Sequence, residues 1–162
     1  MIHHISLSAR KPLEVAKVLV EILDGQLTRF GPHSGSYIAW AGDEYGTAIE
    51  VYPLGTELLP GPADEPTRFQ PNDQSSTYSA THAALSIARS TDEVLSIAQR
   101  AGWRAVELSR GSFRVIELWI ENRLLIEILT EEMKQEYLEA TANLRRPARQ
   151  IRKESSGGAP KS

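Results

Sequence analysis

The segment HISLS at residues 4–8 determines how the chain is interpreted, because a variant of it, HAALS, returns at residues 82–86. The two share the pattern His-x-x-Leu-Ser at an offset of 78 residues. A second match follows at an offset of 77 residues, where Ile49-Glu50-Val51 resembles Ile126-Glu127-Ile128. The spacing from His to Glu is 46 residues in the first half and 45 in the second. A repeat of this kind predicts two structurally similar modules in one chain.

Each half contains an apolar pattern that predicts one amphipathic helix after the first strand. The apolar residues recur at the i, i+3, i+4 spacing of a helix with one buried face. They are Val15, Val18, Leu19, Ile22 and Leu23 in the first half, and Val94, Ile97, Ala98 and Ala101 in the second. Pro12 and Gly25 mark the ends of the first helix, while a Ser90–Glu93 capping box and Gly102 bound the second.

Alternating side chains and turn residues predict four strands in each half. The predicted strands are 2–9, 26–30, 36–41 and 47–52, then 81–88, 103–109, 112–121 and 123–130. The turns are Gly31-Pro32, Gly42-Asp43, Arg110-Gly111 and Glu121-Asn122. The order β-α-β-β-β, twice, predicts an α+β fold in which two paired βαβββ modules form a curved mixed-sheet cup.

The predicted boundaries divide the chain into five parts. They are a first module at 1–52, a Pro-rich linker at 53–80, a second module at 81–130, a helix at 131–144 and a flexible basic tail at 145–162. The linker has 28 residues and five prolines, and a lid, a partner-contacting arm and a plain crossover all fit it. The composition of the tail is typical of disorder.

Charge and composition restrict the class of protein. The chain has no cysteine, so neither a disulfide nor a thiolate metal site is available. No apolar stretch is long enough to cross a bilayer and no signal peptide is visible, which predicts a cytoplasmic protein without a membrane partner. The net charge of -3 combines +5 in the tail with -8 elsewhere. That acidic body argues against nucleic-acid binding, although a basic tail suits an acidic partner.

The repeated His and Glu positions hold the candidate metal ligands, which are His4, Glu50, His82 and Glu127. Strand alternation places Glu50 and Glu127 opposite the aliphatic residues on either side of them. A buried carboxylate needs a partner, since an unpaired one costs several kcal/mol, and a divalent cation is a suitable partner. Imidazole and carboxylate ligands suit Zn, Ni, Co, Mn or Fe(II) without selecting among them.

A second group of residues forms a candidate substrate pocket. Its members are Trp40, Tyr52, Glu117 and Trp119, with Phe30, Glu107 and Arg114 as weaker candidates. The 77-residue offset places Glu117 in register with Trp40. The alternative is that the aromatic residues are core and the charged residues lie on a surface edge. His3 faces away from His4, and His33 is expected to be solvated in its loop.

These residues and their spacing resemble the vicinal oxygen chelate superfamily, which includes glyoxalase I, fosfomycin and bleomycin resistance proteins and extradiol dioxygenases. The resemblance covers residues 2–130 apart from the linker. It implies paired βαβββ modules around one divalent metal per site, with ligands on the first and fourth strands of each module. The His-Glu-His-Glu set is most similar to that of bacterial glyoxalase I, whereas the fosfomycin and dioxygenase groups typically use three protein ligands.

The resemblance to glyoxalase I implies a metal-dependent lyase or isomerase acting on a small oxygenated substrate. Proton transfer alpha to a carbonyl would proceed with stabilisation of an enediolate by the metal. Glu127 would be the general base, with Glu50 as its counterpart across the metal. Two departures concern glutathione: Ser8 stands where glyoxalase I usually carries a basic residue, and the usual Phe-Tyr of the first helix is absent. The metal site therefore transfers better than the substrate.

Two other functions remain open. One is a non-catalytic protein of the same fold that binds a small molecule or confers resistance. The other is an Fe(II) ring-cleaving dioxygenase, against which a fourth protein ligand counts because it crowds the oxygen and catechol positions. By analogy with the family, the cup is formed either within one chain or across a homodimer interface.

Overall fold

The computed structural model describes residues 2–62, 64–76 and 78–142. The first half comprises β1 (His4–Ala9), α1 (Pro12–Leu23), β2 (Gln26–Arg29), β3 (Tyr37–Trp40) and β4 (Ala48–Pro53). A hairpin of β5 (Thr56–Leu59) and β6 (Arg68–Pro71) follows. The second half comprises β7 (Ala83–Ser86), α2 (Thr91–Ala101), β8 (Arg104–Ser109), β9 (Arg114–Ile120) and β10 (Leu124–Leu129), and α3 (Glu131–Ala140) ends the described elements. This order confirms the predicted α+β fold of two βαβββ modules.

The two modules have the same sheet topology. The strand order is β1-β4-β3-β2 in the first and β7-β10-β9-β8 in the second. In each sheet the first pair is parallel and the other two pairs are antiparallel, so both sheets are mixed. The hydrogen-bonded strands form two separate four-stranded sheets, and the β5–β6 hairpin forms a third.

One apolar core joins the modules. It includes Leu19 of α1, Ile49 of β4, Val94 of α2 and Ile116 of β9, each at most 1% exposed. Helices α1 and α2 contact each other across this core. The predicted helical stripes are therefore the faces that the helices bury, and the modules are held together by apolar packing as well as by the chain.

Two polar contacts tie the ends of α1 to the second module. The carboxylate of Glu121 accepts hydrogen bonds from the backbone N–H groups of Arg10 and Lys11, both at 2.8 Å. Lys11, the N-cap of α1, provides no side-chain cap, so Glu121 supplies the negative charge that a helix N-terminus favours. At the other end, Arg89 donates to the carbonyl oxygen of Glu21 at 2.5 Å and to Asp24 at 2.9 Å.

The end of α1 shows why a glycine is needed at position 25. Asp24, not Gly25, takes the left-handed conformation that closes the helix, with φ of 53°. A Cβ atom on Gly25 would lie 1.7 Å from the carbonyl oxygen of Trp40 in β3. The glycine therefore permits a close approach of helix and sheet, and the predicted helix end is correct for a different reason.

The largest addition to the predicted architecture is the β5–β6 hairpin within the linker. Its strands are four residues each and lie among prolines, which suppress a strand signal in sequence. Helix α3 ends at Ala140, while the predicted helix end at 144 and the tail at 145–162 lie outside the described residues. No helix in the described part of the chain is long and apolar enough to span a membrane.

Candidate metal and substrate site

One face of each sheet points away from α1 and α2, and we call it the site face. In β4, Ile49 and Val51 are fully buried in the core, so strand alternation directs Glu50 and Tyr52 to the site face. In β10, Ile126 and Ile128 are buried in the same core, so Glu127 projects from the site face of the second sheet. Both predicted glutamate ligands therefore occupy the same position in their modules.

The histidines keep the same relation to these glutamates in both modules. Glu50 is paired with Ser6 in the parallel register of β4 and β1, and His4 lies two residues before Ser6. Glu127 is paired with Ala84 in the parallel register of β10 and β7, and His82 lies two residues before Ala84. Each module therefore presents one His and one Glu diagonally across neighbouring strands of one face. The sequence repeat is also a repeat in geometry.

Glu50 is held by two neutral hydroxyl groups. The Ser6 Oγ donates to Glu50 Oε2 at 2.8 Å, and the Tyr52 hydroxyl donates to the same oxygen at 2.9 Å. Burial, followed by the hydrogen bond to Glu50, raises the pKa of Tyr52, so its phenol remains a donor at neutral pH. Oε1 accepts no hydrogen bond from the described residues. One oxygen of Glu50 is thus anchored and the other is available.

An aromatic cluster fixes Tyr52 and places the hairpin beside it. The Tyr52 ring lies 5.5 Å from that of Phe30, 5.6 Å from that of His33 and 5.8 Å from that of Phe69, measured between centroids. Phe69 belongs to β6, so the hairpin packs against the residue that holds Glu50. His33 is half-buried and its Nδ1 lies 2.8 Å from Ser36 Oγ. The prediction that His33 is solvated is wrong, because the hairpin covers its loop.

Glu127 is held by a cation instead. Arg110 Nη2 and Nε donate to Glu127 Oε1 at 2.7 and 3.1 Å, and the Glu127 side chain is 15% exposed. The need of a buried carboxylate for a positive partner is therefore met by an arginine of the chain. Oε2 of Glu127 accepts no hydrogen bond from the described residues. As in Glu50, one oxygen is anchored and the other is available.

Glu117 lies directly opposite Glu127 in the antiparallel register of β9 and β10. It accepts hydrogen bonds from Arg110 at 2.7 Å, Trp119 at 3.1 Å and Arg104 at 3.0 Å. These donors, Arg110 above all, lower the pKa of Glu117 to about 2, and the bonds to both glutamates raise the pKa of Arg110. Glu117 is thus a fixed carboxylate that helps to orient Arg110.

The four predicted substrate-binding residues all project from the site face, but their register differs from the prediction. Trp40 is opposite Ala48, two residues before Glu50, and Trp119 is opposite Leu125, two residues before Glu127. Trp40 therefore corresponds to Trp119 and not to Glu117. The spacing from Trp to Glu is ten residues in the first module and eight in the second, so a single offset fails here.

Two weaker pocket candidates lie elsewhere. Arg114 Nη1 donates to Glu107 at 3.0 Å, and its Nε donates to Glu136 of α3 at 3.0 Å. Both residues pair in register with positions that do not share a face with Glu117. Their interpretation as pocket residues is wrong, and they tie α3 to the second sheet instead.

The histidine contacts determine which ring nitrogen is available. His82 Nδ1 lies 3.1 Å from the carbonyl oxygen of Ala80, which only accepts, so Nδ1 carries the proton and Nε2 keeps its lone pair. That is the arrangement of a metal-ligating histidine. His3 Nδ1 makes a similar contact with the carbonyl oxygen of Tyr45 at 2.6 Å, while His4 is exposed on the site face.

The four predicted ligands do not converge within one chain. Among residues 2–62, 64–76 and 78–142, no three side chains of the ligand types are grouped closely enough to hold a metal ion. The structure brings together His4 with Glu50, and His82 with Glu127, each pair on neighbouring strands. In donor type, in face and in the anchored carboxylate, each pair fits half of a divalent-metal site.

Arg110→Ala is expected to destabilise the protein by about 1–3 kcal/mol at pH 7, after allowance for screening at its partly exposed side chain. It leaves two carboxylates, each about 15% exposed, opposite each other without their shared cation. We expect acidification toward pH 4.5 to reduce the deficit, because one proton shared by the pair relieves the repulsion. Urea unfolding of the variant and the wild type at both pH values measures it.

The wild type supplies the reference for this comparison. The pKa of Glu117 is about 2 in the folded protein against 4.5 ordinarily, so its contacts stabilise the fold fully above pH 4.5. That contribution is lost only as the pH falls from 4.5 toward 2. Arg104→Ala is the matched control, since Arg104 contacts Glu117 alone and is about half exposed. A deficit in Arg110→Ala that is constant with pH would contradict the explanation.

No family model matches the sequence, and no curated protein matches it either. Solved structures do. The fosfomycin resistance protein FosX from Mesorhizobium loti is 14% identical with a TM-score of 0.52, covering 85% of this chain and 96% of that one. FosX from Listeria monocytogenes, complexed with Mn(II) and a sulfate ion, is 16% identical with a TM-score of 0.55, covering 86% and 95%.

A third similar structure is a glyoxylase/bleomycin resistance protein/dioxygenase domain from Frankia sp. EAN1pec. It is 15% identical with a TM-score of 0.50, covering 79% of this chain and 94% of that domain. The three similarities extend over both modules. At these identities they show the fold alone, and the chemistry must be argued from the residues of this chain.

Proposed function

We propose that this chain, which has the fold of the vicinal oxygen chelate superfamily, is a divalent-metal-dependent lyase or isomerase of the glyoxalase I type. The observation that carries the proposal is the repeated geometry on the site faces. In both modules a His lies two residues before the strand partner of a Glu, and that Glu has one oxygen anchored and the other available. The substrate class is a small oxygenated molecule.

The metal site is assembled from two half-sites on different copies of the chain. His4 and Glu50 form the half-site of the first module, and His82 with Glu127 forms that of the second. The absence of any three-ligand group within the described part of one chain supports this arrangement. A homodimer that pairs the first module of one copy with the second module of the other brings all four ligands to one metal. A cytoplasmic location remains a prediction.

The similar structures support a divalent cation as the occupant. Listeria monocytogenes FosX has been crystallised with Mn(II) and a sulfate ion, and a mutant of it with Mn(II) and 1S,2S-dihydroxypropylphosphonic acid. The ligand types of this chain accept Mn, Ni, Co, Zn or Fe(II). A cation held there polarises a substrate carbonyl oxygen and stabilises the negative charge that develops on it.

The residues of the chain then perform three tasks. Glu127 accepts the proton alpha to the carbonyl at Oε2, because Oε1 is occupied by Arg110. Ser6 and Tyr52 orient Glu50 through its Oε2, so that its other oxygen faces the site. Trp40 and Trp119 flank the glutamates at equivalent positions and supply apolar walls that exclude water from the reacting atoms.

Metal analysis of the purified protein tests the proposal directly. The protein is stripped with chelator, reloaded separately with Mn, Ni, Co, Zn and Fe(II), and assayed for bound metal after gel filtration. We expect one metal per copy of the chain, since each dimer has two complete sites, and little binding in His82→Ala. His33→Ala is the control, because His33 is a half-buried histidine outside both half-sites. Absence of binding by every metal would contradict the proposal.

The second candidate function is a metal-independent protein that binds a small molecule. The Arg110–Glu127 ion pair favours it, because that carboxylate is already neutralised by the chain. The same reloading experiment distinguishes the two, as this candidate predicts that no metal is retained. Selective retention of Fe(II) with catechol cleavage would instead indicate the dioxygenase.

A further inference from the structure

A cavity of about 230 Å³ lies at the seam between the modules, and we call it the seam cavity. On one side it is bounded by the edge strand β1, at residues 5–8. On the other side it is bounded by residues from 76 to 83 and by Arg123, Leu124 and Ile126. Glu50 and Glu127 do not line it, so it is a different space from the proposed metal site, although His82 contributes to its wall.

The polar wall of the seam cavity carries a buried positive charge. Arg123 is 6% exposed, and its Nη2 donates to the carbonyl oxygen and, at 3.3 Å, to the hydroxyl of Ser8. Burial lowers the pKa of Arg123, but an arginine titrates so far above neutrality that it stays charged. None of the described residues that line the cavity is an aspartate or glutamate. In a chain of net charge -3 this wall is selective for anions.

Hydroxyl groups around Arg123 have hydrogens left to donate. The Ser8 Oγ accepts from Arg123, and the Ser79 Oγ accepts from the backbone N–H of Thr81 at 3.0 Å. A hydroxyl that accepts still has its own O–H to donate. Thr81 Oγ1 makes no hydrogen bond to the described residues, so it too can donate into the cavity. Three hydroxyl donors and one guanidinium therefore converge on the same space.

The remaining wall is apolar and consists of Ile5, Leu7, Ala83, Leu124 and Ile126. A cavity of this size holds more than an oxyanion head alone. We propose that the seam cavity binds a small organic oxyanion, with its anionic head at Arg123, Ser8 and Thr81 and a short aliphatic body against the apolar wall. The site goes beyond the proposed function, because it needs neither the metal nor the two glutamates.

An isosteric series of probes tests the proposal on the metal-free protein. Calorimetric titrations in chelator compare butyrate, butan-1-ol and butylammonium, which share one aliphatic chain and differ in the charge of the head. We expect saturable binding of butyrate, at least about tenfold weaker binding of the alcohol and none of the cation. Equal binding of all three, or no binding of butyrate, would overturn the proposal.

Variants identify the cavity as the place of binding. Thr81→Val and Ser8→Ala each remove one donor without removing Arg123, and each is expected to weaken butyrate binding about tenfold. Ser86→Ala, an exposed serine of β7 outside the cavity, is the control and keeps wild-type affinity. Unchanged affinity in both donor variants would overturn the assignment. Glu127→Gln should keep butyrate binding and Thr81→Val should keep metal binding, so the failure of either proposal is distinguishable from that of the other.

Discussion

Glu127→Gln is expected to slow proton transfer alpha to a carbonyl by about 100- to 10,000-fold, the range that a general base contributes. The amide keeps the size of the side chain and one oxygen for Arg110, but its NH2 group cannot accept a proton at the position of Oε2. The measurement follows loss of the alpha-proton signal of hydroxyacetone in heavy water by NMR. The hemithioacetal of methylglyoxal and glutathione serves as the second substrate, and both are run with metal-loaded protein.

Glu117→Gln is the matched control for this substitution. Glu117 is opposite Glu127, shares Arg110 with it and is equally buried, so the control removes the same charge beside the same cation. We expect the control to retain most of the activity, since Glu117 belongs to neither half-site. Equal losses in the two variants would indicate a general electrostatic effect. Full activity in Glu127→Gln with metal bound would show that another residue is the base.

Sequence predicts the parts of this protein that depend on near neighbours along the chain. Helix α1 runs from Pro12 to Leu23 as its apolar stripe indicates, and α2 has the predicted Ser90–Glu93 capping box. The glutamates project away from the core because alternation in a strand depends only on parity. The His-to-Glu repeat becomes a repeat in geometry because both modules have the same parallel register.

The missing parts depend on contacts between distant residues. Arg110 lies in the β8–β9 turn, and the residue type alone predicts a solvated side chain there. Its position between Glu117 and Glu127 becomes visible only when the register of β9 against β10 is known. Arg123 is similar, since its contact with Ser8 spans 115 positions of the chain. Neither residue has a local signal that distinguishes it from an ordinary surface arginine.

The charge argument shows a further limit. A glutamate among aliphatic residues requires a partner, and this requirement is correct for both Glu50 and Glu127. The nature of the partner is not determined by the strand, because Glu50 receives two hydroxyls and Glu127 receives a guanidinium. An intrachain partner for one oxygen leaves the other oxygen for a metal, and the two roles are compatible. The requirement for a partner therefore supports a metal site without proving one.

A heterodimer of Glu50→Ala and Glu127→Ala is expected to recover half of the wild-type metal sites, although each variant alone binds little metal. If each site combines the first module of one copy with the second module of the other, one site of the heterodimer carries both substitutions and its second site carries neither. A site within one chain would be damaged in both copies. Two affinity tags isolate the heterodimer, and metal per dimer is measured after loading.

The pair Glu50→Ala with His4→Ala provides the matched heterodimer control. Both substitutions fall in the first module, so each of the two sites keeps one damaged half and no recovery is expected. Recovery in both heterodimers would indicate that metal is held without the first-module ligands, and recovery in neither would remove the shared-site arrangement. The experiment depends only on which module each residue occupies, and that is fixed by the parallel pairing of β1 with β4 and of β7 with β10. Half occupancy in one heterodimer and none in the other can arise only if His4 and Glu50 of one copy meet His82 and Glu127 of another.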